Sequence, residues 1–534
     1  MSERLSESDA TPPPPAKTSS AEPASAETTR AAGRGGLAIA VAKVSFILFG
    51  FAQQAVLPRI LGVDGYGEVS LVLSIVSVLN NVIVATSIQG VSRSVAQAAE
   101  DDADQTFRRA LSVHAVLAVV LSALFAALAG PIASFTSASH LTTQLRLVAA
   151  VIFLYGIYAP LVGSLNGKRR FLDQAGLDIF YGGLRLVAMV GGAVFFLRTG
   201  RGGVLGAVAG FIAAAAIIVP VALLRTGVGK PGGTSPALGP YMRFLLPLAV
   251  SQYFLNQLMQ TDLFLLSRFV GQAAGDTAEG IKAANSLRGV YRGVQLFAFL
   301  PYQLLMSVTF VLFPLLARAS AEGDRNAVRG YTMTGVRLGF VLTGLMCGAV
   351  SAIAPHVLHL VFPEEIWTQG GEALRILSLG MGAFSILGIT CAALSGLGRP
   401  TAAALLTALG VGLIGAGCTV LVPRAALGPA MLVQAATATS VALVITAAAA
   451  GVVLHATAGG FVAAATVVRV LGALAVAVAV GSRLPWLGKV FVPFEAVLVA
   501  ALYVVILIAT RELGKTDLAR VLTVVRRKAP GAST

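Results

Sequence analysis

Long apolar runs, separated by short polar segments, follow one another from Leu37 to Ala509. Each run approaches or exceeds the length of about 20 residues that an α-helix needs to cross a bilayer. The runs are too long and too uniformly apolar for the strands of a membrane barrel, so we interpret them as helices. The fourteen predicted spans are Leu37–Val56, Val69–Ile88, Ala110–Ala129, Leu147–Leu165, Leu177–Leu197, Val204–Leu224, Leu245–Leu266, Gln295–Leu316, Thr334–Ile353, Ala373–Ala392, Ala402–Val422, Ala430–Val452, Phe461–Val480 and Val492–Ala509.

The composition agrees with this pattern. Hydrophobic residues make up 56% of the chain and charged residues 12%, with a mean hydropathy of +0.83. A soluble globular domain has roughly 25% charged residues. The 58 glycines let helices approach closely in a medium where the hydrophobic effect provides no force between them. The sequence therefore predicts an all-α polytopic membrane protein built as one bundle.

Three short motifs recur in the same order after equivalent spans. The pairs are Leu57–Gly62 with Leu266–Gly271, Ala98–Asp102 with Ser320–Asp324, and Ser164–Lys168 with Gly396–Arg399. The offsets correspond to six spans plus small changes in loop length. Two six-helix halves with the same orientation imply a pseudo-two-fold axis along the membrane normal, and transporters of this kind often bind substrate between the halves.

The repeat divides the chain into five parts. We expect an N-lobe of helices 1–6 over residues 35–226, a C-lobe of helices 7–12 over residues 227–456, and two further helices over residues 457–510. Residues 1–34 are rich in Ser, Ala, Glu, Thr and Pro and are expected to form a disordered tail. Residues 511–534 form a basic tail. Segments on the side of the N-terminus carry more Lys and Arg than those on the other side, which predicts that both tails are cytoplasmic.

Charge and motifs exclude several classes of function. The net charge is +15, but the basic residues are scattered and have no interleaved aromatics, which argues against nucleic-acid binding. The three cysteines lie inside apolar runs, so neither a disulfide framework nor a zinc site is expected. His356 and His359 have a spacing that can touch a metal, but solvation in a loop is the favoured interpretation. No enzyme motif is present in the sequence, and we expect neither catalysis nor a cofactor nor a bound metal.

The seventh span carries an unusual number of polar residues. Gln252, Asn256 and Gln260 follow one another at intervals of four, and Asp262 lies on the adjacent face. Such groups cost free energy in a bilayer and normally face a cavity or a partner. We therefore expect this face to line a polar interior.

The next helical run begins with aligned basic residues. Arg288, Arg292 and Gln295 share one face at i, i+4 and i+7. Two aligned guanidinium groups suit a diphosphate, because each is planar, permanently charged and bidentate toward phosphate oxygens. The competing interpretation places these arginines at the headgroup level, paired with acidic residues such as Asp276.

Polar residues also interrupt the N-terminal spans. Lys43 and Gln54 lie on one face of the first span, where Lys43 either faces a cavity or snorkels to the headgroups. Asn80 lies midway along the second span and needs an interior partner. Asp178 and Arg185 are seven residues apart in the fifth span, and an intramembrane ion pair bridged by other helices is favoured over a substrate role.

Two motifs carry a family resemblance. Leu57-Pro58-Arg59-Ile60-Leu61-Gly62-Val63-Asp64-Gly65-Tyr66-Gly67 and Leu394-Ser395-Gly396-Leu397-Gly398-Arg399-Pro400 are similar to segments of the polysaccharide-biosynthesis flippases of the multidrug/oligosaccharidyl-lipid/polysaccharide (MOP) exporter superfamily. Asp262 at the end of the seventh span also fits this family. The resemblance covers most of residues 37–510.

The resemblance implies a V-shaped bundle of two lobes, with a central cavity lined by helices 1, 2, 7 and 8. It implies transport of a polyprenyl-diphosphate-linked oligosaccharide across the inner (cytoplasmic) membrane by alternating access. Arg288 and Arg292, with Lys43 and Arg59, would hold the diphosphate. Span-seven amides would bind sugar hydroxyls, and Asp262 would respond to a coupling H⁺ or Na⁺. Membrane lipids and a glycan polymerase are the further partners considered.

Three alternatives remain open. The branch that flips the peptidoglycan precursor lipid II is similar, but an Arg-Asp pair expected late in the first helix is replaced by Gln53 and Gln54. That replacement favours another lipid-linked glycan. A cation-coupled multidrug exporter needs an acidic cavity, whereas this interior leans basic. A scaffold that recruits partners through its tails would tolerate cavity mutations.

Overall fold

The computed structural model describes residues 26–232 and 238–514. Every regular element in these ranges is a helix, so the prediction of an all-α polytopic protein is confirmed. The α-helices are α1 (Ala26–Gln97), α2 (Ala103–Phe135), α3 (Thr142–Gly167), α4 (Phe171–Arg198), α5 (Gly203–Thr226), α6 (Leu238–Leu258), α7 (Thr261–Ala274), α8 (Ala278–Ala298), α9 (Leu300–Ala321), α10 (Arg325–Ala352), α11 (Ala354–Val361), α12 (Glu364–Gly396), α13 (Pro400–Leu421), α14 (Pro429–Ala458), α15 (Ala464–Gly481) and α16 (Val492–Ala509).

Within these ranges, eleven helical stretches are long and apolar enough to cross a membrane. The first of them, Ala38–Gln97, contains the first two predicted spans. It bends at Gly62, whose φ of 75° and ψ of 168° interrupt the helix. Glycine reaches this conformation because it has no Cβ. The bend divides α1 into a first arm (residues 26–61) and a second arm (residues 63–97).

Predicted spans seven and eight are each broken into two helices, α6 with α7 and α8 with α9. At the first break, the side chain of Asn256 donates to the carbonyl of Gln252 (2.8 Å), and Thr261 donates to the carbonyl of Gln257 (2.7 Å). Polar side chains of this kind compete with the backbone for helical hydrogen bonds. At the second break, Pro301 occupies the first turn of α9, where its missing N–H is tolerated. All fourteen predicted spans thus correspond to helices.

The helices pack as two groups, which we refer to as the N-lobe and the C-lobe. Helices α1 to α5 pack together, and so do helices α6 to α14, while α1 contacts α6 and α8 across the boundary. Helices α15 and α16 pack on α10. The residue boundaries that we assigned to the lobes stay a prediction.

The two groups are in backbone contact at the end of the bundle that carries Gly62, which we call the Gly62 face. Gly67 lies against the carbonyl of Asn285, and Gly289 lies against the carbonyl of Val63, so that a Cβ at either glycine would overlap its neighbour. The side chain of Asn285 also donates to Glu68 at 2.7 Å. Because helices can approach this closely only where side chains are absent, small residues close this face.

At the opposite end, which we call the N-terminal face, side chains from α6 cover the N-terminal group. The guanidinium of Arg93 lies 4.3 Å from the ring centroid of Phe244. His114 Nε2 and the hydroxyl of Tyr241 are 2.8 Å apart. The contacts described at this face are made by long side chains, whereas the Gly62 face also has close backbone contacts at Gly67 and Gly289.

Both ends of the described chain differ from the expected tails. Helix α1 begins at Ala26, within the segment expected to be disordered, because adding turns to an existing helix costs less than starting one. Glu512, in the expected basic tail, accepts hydrogen bonds from Arg337 (2.8 Å), Thr466 (2.9 Å) and Arg469 (3.3 Å). Burial raises the pKa of Glu512, but these donors outweigh it and hold that pKa below its usual value. The remaining tail residues, 1–25 and 515–534, lie outside the described residues.

Candidate functional site

A cavity of about 310 Å³ lies among helices α1, α3, α4 and α5, and α8 contributes one residue to its wall. We call it the N-lobe cavity. Its polar and aromatic lining includes Lys43, Gln53, Gln54, Ser77, Asn80, Asn81, Tyr155, Tyr158, Asp178, Tyr181, Arg185 and Arg292. Three cationic side chains and one carboxylate in this lining make it electropositive, the balance expected of a site for an anion.

Lys43 lines this cavity near the N-terminal face. Its Nζ donates to Asp178 Oδ2 at 3.2 Å, and the Lys43 side chain is 61% exposed against 15% for Asp178. Asp178 and Arg185 each have a partner on the neighbouring helix α1, Lys43 for Asp178 and Gln53 for Arg185. The two lie about 10 Å apart along the axis of α4, too far for direct contact.

Arg185 is held against the cavity wall by three neighbours. Its Nε donates to Gln53 Oε1 at 3.1 Å. The guanidinium lies 5.4 Å from the ring centroid of Phe46 and 5.9 Å from that of Phe211. Cation–π contacts of this kind stabilise the guanidinium at the cavity wall.

Arg292 is the residue that α8 contributes to the N-lobe cavity. Its guanidinium donates to Gln295 Oε1 at 3.2 Å, and Gln295 Nε2 donates to Asp262 Oδ1 at 3.0 Å. Tyr291 donates to the other carboxylate oxygen of Asp262 at 2.8 Å. Asp262 and Gln295 are buried, at 2% and 0% exposure, and lie behind Arg292.

Gln54 and Asn80 face the same cavity from the two arms of α1. Gln54 Oε1 accepts a hydrogen bond from the hydroxyl of Tyr66 at 2.9 Å. Asn80 is buried, and its side-chain oxygen has no partner among the described residues. An unsatisfied buried amide oxygen is costly and indicates a position where water or a ligand completes the hydrogen bond.

The amides of the seventh span lie beside the N-lobe cavity, outside its lining. Asn256 accepts a hydrogen bond from Asn81 at 2.8 Å and so joins α6 to the second arm of α1. Gln252 contributes its backbone carbonyl to the bond from Asn256 described above. Gln260 is buried at the start of α7, and its side-chain oxygen has no partner in the described ranges. Of these three residues, Asn256 makes the hydrogen bond that joins the two groups of helices.

The structure places Arg288 outside this cavity. Arg288 is 1% exposed, and its NH2 group donates to the backbone carbonyls of Thr136 (3.3 Å), Ser137 (3.0 Å) and Ser267 (3.1 Å). It thus caps the end of α2, where the helix dipole favours a cation. Arg292 lies one helical turn further from the Gly62 face. Arg288 is therefore level with the contact between the lobes, whereas Arg292 is level with the N-lobe cavity.

Arg59 also lies away from the cavity, at the Gly62 face. Its NH2 group donates to the carbonyl of Val361 at 2.6 Å, which ties the first arm of α1 to α11. Of the four cationic residues that we expected around a diphosphate, Lys43 and Arg292 line the N-lobe cavity, while Arg59 and Arg288 do not.

Sequence reasoning gave too little weight to several lining residues. In the sequence, Gln53 stands out as a departure from a family pattern, and for Arg185 an ion pair is favoured over a substrate role. The tyrosines of α3 and α4 gave no signal, because a tyrosine in an apolar span is compatible with ordinary core packing. Gln53 was detectable, because it is a polar side chain inside a span. No group of three or more metal-ligating side chains occurs among the described residues.

Comparison with known proteins establishes the family. A family model described as polysaccharide biosynthesis protein matches residues 32–320, which is more than half of the chain. The chain belongs to the polysaccharide biosynthesis protein family. The resemblance found in the sequence is thereby confirmed. A curated relative, the uncharacterized membrane protein YabM of Bacillus subtilis (strain 168), is 24% identical over 358 residues, or 62% of this chain. The matched region spans 65% of that relative's length.

Two solved transporter structures are similar in fold to this polysaccharide biosynthesis protein. Lipid II flippase MurJ in its inward closed conformation is similar with a TM-score of 0.68 and 12% identity, over 89% of this chain and 99% of that one. The inward-facing conformation of a multidrug resistance MATE family transporter of the MOP superfamily is similar with a TM-score of 0.62 and 16% identity, over 77% of this chain and 95% of that one.

Proposed function

We propose that this protein is a flippase that moves a polyprenyl-diphosphate-linked oligosaccharide, such as an O-antigen or exopolysaccharide repeat unit, across the cytoplasmic membrane by alternating access. The observation that carries the proposal is the charge of the N-lobe cavity, where Lys43, Arg185 and Arg292 face a single carboxylate, Asp178. An anionic headgroup bound there replaces the missing negative charge. Membership of the polysaccharide biosynthesis family supports a glycan as the cargo.

The lining divides into two chemical kinds that match the two parts of such a headgroup. Arg185 and Arg292 offer planar forks to phosphate oxygens. Gln54 and Asn80 offer amides to sugar hydroxyls, and the Tyr155 ring offers an apolar face to a sugar ring. Because Arg292 comes from α8 while the other lining residues come from helices α1 to α5, a bound diphosphate joins the two lobes.

Alternating access then requires the lobes to separate at one face at a time. With both termini in the cytoplasm, the Gly62 face is the outer one, and it is closed by backbone contacts of Gly67 and Gly289. Opening of that face breaks the hydrogen bond between Asn285 and Glu68 as well. A coupling H⁺ or Na⁺ is one way to drive the cycle, and a glycan polymerase is the expected consumer of the exported unit.

Transport of lipid II is the second candidate function, and the similarity in fold to lipid II flippase MurJ favours it. Gln53 and Gln54 at the expected Arg-Asp pair count against it. The multidrug exporter reading fits the same fold, but an electropositive cavity repels organic cations.

The test is glycan export in cells that depend on this gene, complemented with Arg185→Gln, Arg292→Gln or both. The cavity variants should lower export at least about tenfold, because each removes charge-assisted hydrogen bonds to the cargo. Arg318→Gln is the matched control, because Arg318 is 81% exposed and, among the described residues, forms its ion pair with Glu322 one turn away. Mass spectrometry of the polyprenyl-linked intermediates that accumulate identifies the glycan and separates lipid II from other cargo. Normal export by the double variant at normal membrane abundance would refute the proposal.

A further inference from the structure

Asp262, Gln295 and Arg292 form a chain of hydrogen bonds that runs from the interior of α7 to the wall of the N-lobe cavity. The first two members are fully buried and do not line that cavity. Within the described part of the protein, Arg292 donates one hydrogen bond, the bond to Gln295. The remaining donors of its fork are therefore available to a ligand.

The partners of Gln295 fix the orientation of its amide. An ionised carboxylate only accepts hydrogen bonds, and a guanidinium only donates them. The amide nitrogen of Gln295 must therefore face Asp262, and its oxygen must face Arg292. A rotation of the amide by 180° would set oxygen against oxygen and N–H against N–H, with the loss of two charge-assisted bonds.

Asp262 is itself held in place from several directions. Tyr291 donates to Oδ2 at 2.8 Å, and the backbone N–H of Leu263 donates to Oδ1 at 2.8 Å. The residue lies in the first turn of α7, because the chain breaks at Gln260 and a new helix begins at Thr261. The positive end of a helix dipole stabilises a carboxylate at this position. The break in the seventh span thus creates a fixed anionic anchor behind α8.

We propose that Asp262 is a positioning residue that acts through Gln295 to hold the Arg292 guanidinium at the wall of the N-lobe cavity. This role differs from the coupling-ion role that the sequence suggested for Asp262. In the positioning role the carboxylate is needed as a hydrogen-bond acceptor, and its charge is not required. The consequence for cargo affinity rests on the proposed function, whereas the geometry of the relay does not.

Two substitutions at one position separate these roles. In Asp262→Asn, the amide oxygen can still accept from Gln295 and Leu263, while its NH₂ group donates to the hydroxyl of Tyr291. The relay is then preserved without the charge. Asp262→Ala removes the acceptor and frees the Gln295 amide to turn. Gln295→Met keeps the size of the side chain but removes the middle member of the relay. It serves as a second disrupting variant if Asp262→Ala does not fold.

The first measurement needs no cargo. The purified full-length protein is treated with phenylglyoxal, which modifies guanidinium groups, and the rate at Arg292 is followed by peptide mass spectrometry. Asp262→Ala and Gln295→Met should raise that rate at least about tenfold, because Arg292 loses its fixed acceptor. Asp262→Asn should stay within about threefold of the wild-type rate. Glu495→Gln, which neutralises another buried carboxylate, is the matched control and should leave the rate unchanged.

The second measurement is equilibrium binding of a polyprenyl diphosphate without sugar to the same proteins in detergent. Asp262→Ala and Gln295→Met should bind at least about tenfold more weakly, while Asp262→Asn should bind like the wild type. Equal loss in Asp262→Asn and Asp262→Ala would overturn the proposal, because it would show that the charge is required. Wild-type modification rates in Gln295→Met would overturn it as well. A wild-type protein that does not bind the probe would count against the proposed function, and the modification rates would still decide the relay.

Discussion

The two lobes enclose cavities of similar size and opposite chemistry. The N-lobe cavity of about 310 Å³ is lined by three cationic residues, one carboxylate and several amides. A second cavity of about 330 Å³ lies among α10, α12, α14 and α15, and we call it the C-lobe cavity. Apart from Thr343 and Cys347, its lining consists of apolar residues and glycines such as Phe340, Ile386 and Leu474. The shared architecture of the lobes therefore does not extend to the chemistry of their interiors.

The difference follows from what closes each cavity. The wall of the N-lobe cavity is completed by Arg292 from the opposite lobe, so a polar side chain is available where the lobes meet. The wall of the C-lobe cavity is completed by α15, which lies outside the internal repeat and is apolar where it faces α10. A polar cavity where the lobes meet suits the hydrated headgroup of the proposed cargo, because ionisable residues in a membrane need water or a partner.

The largest difference in unfolding free energy between the two cavities should appear when a carboxylate is introduced into each of them. Ala383→Asp in the C-lobe cavity buries an unpaired charge and should cost on the order of 3 kcal/mol or more of unfolding free energy. Val84→Asp in the N-lobe cavity has cationic neighbours and should cost less than about 1 kcal/mol. Thermal unfolding in detergent, followed by size-exclusion chromatography, measures both. Equal losses in the two variants would show that the cavities do not differ in polarity.

The next largest difference in unfolding free energy should come from adding a methyl group at a glycine beside each cavity. A Cβ at Gly344 in the C-lobe cavity overlaps the hydroxyl of Tyr503, which donates to the carbonyl of Val341 at 3.1 Å. Gly344→Ala should therefore cost about 1–3 kcal/mol and loosen α16 from α10. Gly50→Ala is the matched N-lobe variant, because its nearest neighbour would be Arg185 at 4.0 Å. It should be neutral or stabilising by up to about 1 kcal/mol in unfolding experiments, since alanine favours a helix. Greater damage from Gly50→Ala would contradict this assignment.

Lys43→Met should have a small effect on stability and a visible effect on transport. The Lys43 side chain is 61% exposed, so its ion pair with Asp178 should contribute less than about 1 kcal/mol to the unfolding free energy. Export should nevertheless fall, because the cavity loses one of its cations. Chemical denaturation and the export assay applied to the same variant give the two numbers. A large loss of stability with normal export would show that Lys43 serves the fold and not the binding of cargo.

The smallest effect should be seen in tryptophan fluorescence, because both tryptophans of the chain lie in its C-terminal half. Both tryptophans of the chain, Trp367 and Trp486, stack on the ring of His359, with centroid distances of 4.5 Å and 4.2 Å. Burial, followed by the nearby charge of Lys489, lowers the pKa of His359 below its usual value. The neutral ring is thus favoured in the folded state. Its contribution to stability is present above about pH 6.5, the unfolded value, and is lost as pH falls through the lower folded value.

Emission should accordingly stay constant as the pH falls to about 6.5 and should be quenched below it, because a protonated imidazole quenches indole. His359→Gln should remove this step while the protein remains folded. Addition of a polyprenyl diphosphate, which we expect in the N-lobe cavity, should leave the emission unchanged. A change of emission on binding would show that the cargo alters the surroundings of Trp367 or Trp486, and would contradict binding confined to the N-lobe cavity.

Most of the helical architecture was predictable because it depends on local sequence. Apolar runs of span length form helices in a bilayer wherever they occur, since no other structure satisfies their backbone groups. The breaks were less predictable. Pro301 is a visible signal for the start of α9, but Gly62 bends α1 and Gly271 lies within α7, although the two glycines occupy equivalent places in the repeat.

The local sequence accounts for the membrane fold, the six-span repeat and the presence of basic and amide side chains in the interior. Which of these side chains share a cavity depends on tertiary contacts. Arg288 and Arg292 lie on the same face of α8, yet Arg288 caps the end of α2 at the closed Gly62 face and Arg292 reaches the N-lobe cavity. The reason is that helical periodicity fixes a face and a height along one helix. The neighbours found at that height come from distant segments, here the end of α2 for Arg288 and Asp262 with Gln295 behind Arg292.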